Sequence, residues 1–240
     1  MGGLGRLSDD LSEGEVDALK YTLSLLSVKE LFNGFEIGTE REALNRFYEP
    51  LRLLATIQPF SERVPPYGIV YRGRPDFMTD ALLDSLKEES DACRVLAVPA
   101  TLGESSQYIY QPISEDNITI AEQLAASDVM LALVQQYAGA ALPSFMTSYI
   151  YYDCAGQSSP PHVDNAFTAI TVMLGLRHEC ERGTFASRSV VYWPDQSRLD
   201  YQLKPGELSI FFGVSTLHGR TPVDHGEKVQ SLLLSFRPLI

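Results

Sequence analysis

Cysteine is scarce in this chain. There are three in 240 residues, Cys93, Cys154 and Cys180. The number is odd and no CxxC occurs, which excludes a disulfide framework as the basis of the fold and suits a reducing compartment. Long apolar runs are missing as well, and none approaches the ~20 residues of a membrane span. The first residues, Met1 to Arg6, lack the basic-then-apolar layout of a secretory signal. Arg6 also stands where a myristoylation signal carries Ser or Thr. The expected location is therefore cytoplasmic, and the sequon Asn117-Ile118-Thr119 is expected to be a chance occurrence.

Positive charge is the third shortage: 19 Lys and Arg face 31 Asp and Glu, for a net charge of -12. Nucleic-acid backbones and anionic membrane surfaces are bound by clustered Lys and Arg, so neither partner is expected. The acidic residues spread over Asp9–Glu15, Glu36–Glu42 and Asp84–Asp91 and read as solvated helix faces.

The chain is otherwise that of a globular protein, 45% hydrophobic and 21% charged. No repeat or low-complexity linker divides it, and a single domain over residues 1–240 is expected. Its two parts differ in character. From Glu13 to Ile57, Val16, Leu19, Leu23 and Leu26 recur at helical spacing, and Thr39 with Glu42 forms a capping box. Val64–Arg74 reads as loop or short strand. Asp76–Ser90 and a segment from Ser114 or Asn117 to Tyr137 read as further helices. Residues 1–140 are thus expected to be a mainly helical support region.

Beyond it come short β-branched and aromatic runs: Phe145–Asp153, Ala166–Leu174, Arg188–Trp193, Glu207–Phe212 and Val229–Phe236. Gly, Pro and Asp separate them. Helices first and strands after make an α+β chain with a sandwich or barrel of strands over residues 145–238.

Four histidines are present, and two carry a pattern. In His162-Val163-Asp164 two polar residues stand two apart on an extended segment, so both face one side. A third ligand from a distant strand, His218, completes a face of two histidines and one carboxylate. Such a face leaves the opposite metal positions open, as an oxygen-activating iron(II) requires. Lys204-Pro205-Gly206-Glu207 turns into the apolar run Leu208–Phe212; Leu217-His218-Gly219-Arg220-Thr221-Pro222-Val223 then precedes Gly226-Glu227-Lys228.

This order, together with His162-Val163-Asp164-Asn165, resembles the double-stranded β-helix oxygenases that use iron(II) and 2-oxoglutarate, particularly their prolyl-hydroxylase-like branch. The resemblance covers roughly Phe145 to Pro238. It implies a jelly-roll core, a dioxygenase activity using Fe(II), 2-oxoglutarate and O2, and metal ligation by His162, Asp164 and His218. It also implies that Lys228, ten positions after the second histidine, grips the far carboxylate of 2-oxoglutarate, with Tyr152 assisting. Arg237 is the rival cation; nine positions separate it from Lys228, so on a regular strand the two face opposite sides. The carboxylate Asp164 disfavours halogenation, since related halogenases carry Gly or Ala there, and points to hydroxylation.

The expected substrate is a small metabolite such as an amino acid or natural-product intermediate. Arg72, Arg74, Asn165, Phe167 and Arg220 are candidate substrate residues, and Arg177 could also reach the pocket. Three other readings stay open: a prolyl-hydroxylase-like enzyme acting on a protein or peptide, a non-catalytic cupin-like binding module, and a zinc hydrolase on the same ligands. His178 and Cys180, with Cys154, match no closed zinc pattern.

Overall fold

The computed structural model describes residues 66–102, 105–111, 119–144, 146–164, 168–183, 185–192, 197–214 and 216–238. The amphipathic segment from Glu13 to Ile57 and its capping box lie outside the described residues. A short 3-10 turn at Pro66–Gly68 leads into strand β1 (Ile69–Gly73), followed by helix α1 (Asp80–Cys93) and a second 3-10 turn. The order continues β2 (Val98–Leu102), β3 (Ser105–Gln111), α2 (Thr119–Ala126), α3 (Asp128–Ala138), β4 (Ala141–Pro143) and β5 (Ser148–Tyr152). The chain then runs entirely through strands: β6 (Ser159–His162), β7 (Ile170–Cys180), β8 (Ser189–Tyr192), β9 (Arg198–Tyr201), β10 (Leu208–Phe211), β11 (Leu217–Arg220) and β12 (Glu227–Pro238).

These strands form two antiparallel sheets. The larger runs β1-β10-β7-β12-β5-β3-β2, with β4 also paired to β12; the smaller runs β6-β11-β8-β9. From β5 onward the chain passes back and forth between the two sheets, with β8 and β9 consecutive in the smaller one, as in a double-stranded β-helix, and the α+β jelly-roll expected from the sequence is what the chain adopts. Among the described residues no helix is long and apolar enough to cross a membrane.

Strand periodicity decides which face meets what. On β12, Leu232, Leu234 and Phe236 join Tyr149 and Tyr151 of β5 and Val172, Leu174 and Leu176 of β7 under the helices. Leu83 and Leu86 of α1, Leu124 of α2 and Met130 and Val134 of α3 cover them. Each fully buried side chain of this kind contributes ~1.5–3 kcal/mol. The alternate residues, Ile150, Tyr152, Met173, Ser231 and Leu233, face the smaller sheet across the interior cavity. Alternation along each strand is why the large sheet is apolar on its helix-covered face and mixed on its cavity face.

Two helical expectations shift. The helix over Asp76–Ser90 starts later, at Asp80, because the Thr79 hydroxyl accepts from the Leu82 N–H and caps it there. The helix expected to reach Tyr137 is two: Ser127 caps a new helix by accepting from the Met130 N–H. The support region also contributes β1, β2 and β3 to the large sheet. β3 lies beside β5, with Tyr110 opposite Ile150. The short runs Ile69-Val70-Tyr71 and Tyr108-Ile109-Tyr110 carry the β-branched and aromatic residues that favour strands.

Candidate metal centre and anion pocket

β6 and β11 bring the two histidines together, since His218 pairs directly with His162 in the register of the small sheet. Their backbones approach closely where β11 crosses β6: a Cβ on Gly219 would come within 2.5 Å of the Ser159 carbonyl oxygen. The imidazole centroids lie 4.4 Å apart at 49°. Past β6, the Asp164 N–H donates to the Gly213 carbonyl at 2.9 Å, which brings the carboxylate beside both rings. Asp164 Oδ1 is 3.6 Å from His218 Nε2 and 3.8 Å from His162 Nε2.

Each ligand is oriented by a bond on its far side. His162 Nδ1 lies 2.8 Å from the Pro160 carbonyl oxygen, and His218 Nδ1 lies 2.8 Å from that of Thr216. A carbonyl can only accept, so both rings carry a proton on Nδ1, which leaves Nε2 as the atom that can ligate a metal. The Thr171 hydroxyl donates to Asp164 Oδ2 at 2.6 Å, leaving Oδ1 for the shared point. Burial first, and the neighbouring His218 second, push the His162 pKa down to about 4 against the opposing pull of Asp164. The ring is therefore neutral at physiological pH. Gly213 completes the packing: a Cβ there would sit 2.2 Å from Asp164 Oδ2.

This donor set fits a divalent metal. The three donor atoms lie within 4.8 Å of one another, and among the described residues no other group of three His, Cys, Asp or Glu does so. Two donors bound at ~2.1 Å to one ion can stand no more than about 4.2 Å apart, and the two Asp–His separations fall inside that reach. Two imidazoles and one carboxylate on a single face leave positions open opposite, the arrangement suited to iron(II). Carbonyl and hydroxyl partners behind each ligand are the support that such ligands need.

The cavity continues past the histidines to Tyr152, Ser189, Tyr201, Arg220 and Ser231, with a volume of about 120 Å³. Arg220 is on the same face of β11 as His218, two residues on. Its side chain is buried, at 8% exposure. The guanidinium lies over the Tyr152 ring at 5.3 Å and donates to Ser187 Oγ at 3.0 Å and Ser189 Oγ at 3.3 Å. Among the described residues no carboxylate forms an ion pair with it. Burial works against its charge, while Tyr152, Tyr201 and Glu227 nearby favour it. A guanidinium is not deprotonated in a protein, so this end of the cavity is a buried positive charge with no direct counterion among the described residues.

The other cations singled out from the sequence lie elsewhere. Lys228 and Arg237 are both exposed and line no part of the cavity. On β12 the buried residues Glu227 and Val229 flank Lys228, so alternation turns Lys228 outward, opposite Glu179 of β7. Arg237 sits at the strand's far end against β4. Arg72 stacks on the outside of the Tyr201 ring at 5.6 Å, and Arg74 donates to Met78 O and pairs with Asp80. Arg177 is bound to Asp91 and Gln230. Asn165 and Phe167 lie outside the described residues. Tyr152 does line the cavity, and its own burial raises its pKa. His178 forms no zinc cluster with Cys180 or Cys154; it faces the Glu227 carboxylate at 2.6 Å.

The sequence reading missed Ser187, Ser189, Tyr201 and Ser231. The alternation signal that pairs Arg220 with His218 was available, whereas the serines have no signature short of knowing the strand register.

No family model matches the sequence, and no curated protein matches it. The fold has many likenesses among solved structures. One is the non-heme alpha-ketoglutarate-dependent epimerase SnoN from nogalamycin biosynthesis, 17% identical, covering 79% of this chain and 84% of that one, with a TM-score of 0.61. A Pseudomonas putida prolyl-4-hydroxylase is 19% identical over 71% of this chain and 92% of its own, at 0.56. An oxidoreductase of the 2OG-Fe(II) oxygenase family from Burkholderia pseudomallei is 13% identical over 85% and 92%, also at 0.56. What these identities establish is the fold.

Proposed function

We propose that the protein is a non-haem iron(II)- and 2-oxoglutarate-dependent oxygenase that oxidises a C–H bond of a small molecule, with hydroxylation as the expected outcome. The observation that carries this reading is the pairing, in one cavity, of a His-Asp-His face with a buried arginine whose guanidinium bonds serine hydroxyls and, among the described residues, forms no ion pair with a carboxylate. A metal chelator with a second, remote carboxylate is the ligand that satisfies both ends, and 2-oxoglutarate is such a molecule. The fold shared with SnoN, the prolyl-4-hydroxylase and the Burkholderia protein supports the same chemistry.

His162 Nε2, His218 Nε2 and Asp164 Oδ1 would hold the metal. Bound there, iron(II) would supply the oxidising chemistry, in which the decarboxylation of 2-oxoglutarate by O2 to succinate and carbon dioxide is coupled to oxidation of a substrate C–H bond. The protein's own part is orientation and exclusion. Arg220 would take the far carboxylate in place of Lys228, assisted by the hydroxyl-bearing residues Tyr152, Ser189 and Ser231 around it. Ile150, Met173, Phe211 and Leu233 also line the cavity, and apolar walls of this kind strengthen charge contacts beside them. SnoN's place in nogalamycin biosynthesis supports a small-molecule substrate. Retention of the complete metal face together with the cavity arginine speaks against a non-catalytic binding module.

The test is turnover. Purified protein reconstituted anaerobically with iron(II) is given 2-oxoglutarate and O2, with and without panels of amino acids and natural-product intermediates, and succinate is measured. Iron- and O2-dependent succinate formation that rises with a substrate and vanishes in His218→Ala is expected. Absence of succinate under every condition would overturn the oxygenase reading.

A further inference from the structure

Behind Arg220 lies a second layer that the proposed chemistry does not use. Glu227 opens β12 and is 1% exposed. Its carboxylate accepts from the Asp224 N–H at 2.9 Å, from the Ser187 N–H at 3.0 and 3.2 Å, and from the Ser187 hydroxyl at 3.0 Å. His178 Nε2 stands 2.6 Å away, its ring held edge-on by Phe185. Ser187 is fully buried and lies outside the cavity lining.

We propose that Glu227, acting through the Ser187 hydroxyl, is the positioning group that holds Arg220 toward the cavity without neutralising it. This rests on the reading of Arg220 as the anchor for the far carboxylate of 2-oxoglutarate. A hydroxyl has one proton, and an ionised carboxylate can only accept, so the Ser187 proton is committed to Glu227. The Ser187 lone pairs then face Arg220 Nη1, which can only donate. The chain of bonds therefore has one direction: guanidinium to hydroxyl to carboxylate. Glu227 favours the arginine's charge from one hydroxyl away. A direct bidentate Arg–carboxylate pair would satisfy the guanidinium internally and leave little reason for an anion to enter. With Ser187 interposed, the cation is both oriented and available.

The experiment is calorimetric titration of the anaerobic iron(II)-loaded protein with 2-oxoglutarate and, separately, with pyruvate, which shares the 2-oxo acid end but has no second carboxylate. Ser187→Ala and Glu227→Gln are each expected to weaken 2-oxoglutarate binding about ten-fold, the worth of one hydrogen bond to a charged group. Pyruvate and iron(II) affinities should stay at the wild-type level in both, and Ser187→Thr, which keeps a hydroxyl, should recover most of the loss. Unchanged 2-oxoglutarate binding in Ser187→Ala, or an equal loss for pyruvate, would overturn the relay. Arg220→Ala separates the two layers of the argument. If it binds 2-oxoglutarate as the wild type does, the anchor assignment itself falls; if it loses binding while Ser187→Ala does not, only the relay falls.

Discussion

The two ends of the cavity are built by different means. At the metal end, each histidine is fixed from two residues away: His162 by Pro160 and His218 by Thr216. Asp164 is held by Thr171, seven residues on. At the arginine end the partners come from distant places. Arg220 is held by Ser187 and Ser189, which lie 33 and 31 residues back. Glu227 reaches Ser187 across 40. Both ends need the strand register, since β6 and β11 must pair to bring His218 to His162. The difference lies in orientation: each metal donor is aimed by a neighbour close in sequence, whereas the groups that aim Arg220 are themselves in place only once the register is set.

The largest effects should break the metal end. Replacing His162, Asp164 or His218 by Ala removes one of three donors and should abolish measurable iron(II) retention, checked by metal analysis after gel filtration. Gly213→Ala should approach the same result, because its Cβ would overlap Asp164 Oδ2 at 2.2 Å and Thr171 Oγ1 at 2.5 Å. Undiminished metal content in that variant would mean the carboxylate is not held as described.

Next comes the arginine end. Loss of a buried, charge-assisted contact worth ~1.5–3 kcal/mol corresponds to roughly ten- to a hundred-fold. Arg220→Ala should therefore raise the 2-oxoglutarate requirement by that factor while iron binding persists. Lys228→Ala and Arg237→Ala, both at exposed positions, should leave it within about two-fold, near the error of such comparisons. A strong effect from Lys228 would reverse the comparison and return the anchor to the last strand.

Thr171→Val sharpens the metal end alone. Groups that orient a ligand from behind typically contribute ~10–100-fold in metal affinity, so this variant should bind iron(II) more weakly by about that factor without altering the 2-oxoglutarate requirement once the metal is saturating.

The smallest effect concerns pH. Burial opposes ionisation of Glu227, but the Asp224 N–H, His178 and the Ser187 N–H and hydroxyl outweigh it and lower its pKa below 4.5. A depressed folded pKa contributes stability that is present above the unfolded value and lost as pH falls through the folded one. Metal-free wild type should lose this increment below about pH 4.5, as the carboxyl protonates. In Glu227→Gln that part of the acid limb should be flattened. Parallel melting-temperature profiles of the two proteins from pH 7 to pH 3 would contradict it.

The same contrast explains what the sequence disclosed. The metal face was legible because His162 and Asp164 sit two apart and His218 lies within a recognisable turn-strand-histidine run. The short strand-like runs after residue 145 pointed to a sandwich or barrel, and the jelly-roll came from the family resemblance. The role given to Lys228 came from resemblance alone, and counting ten residues from His218 could not reveal that Glu227 and Val229 take the buried positions on either side of it. β2 and β3 escaped because their runs are short and lie between helices, and the place of β3 beside β5 depends on pairing across some 40 residues. Thr79 and Ser127, both ordinary capping residues, set helix boundaries that apolar periodicity alone had blurred.

The most direct measurement is an anaerobic titration with iron(II) and then 2-oxoglutarate, following the visible iron-to-ligand charge-transfer band in wild type, His162→Ala and Arg220→Ala. The account predicts a band in the wild type and none in His162→Ala. In Arg220→Ala the band should form only at much higher 2-oxoglutarate. A wild type that binds iron(II) tightly yet gives no band, or an Arg220→Ala protein that titrates as the wild type does, would contradict it.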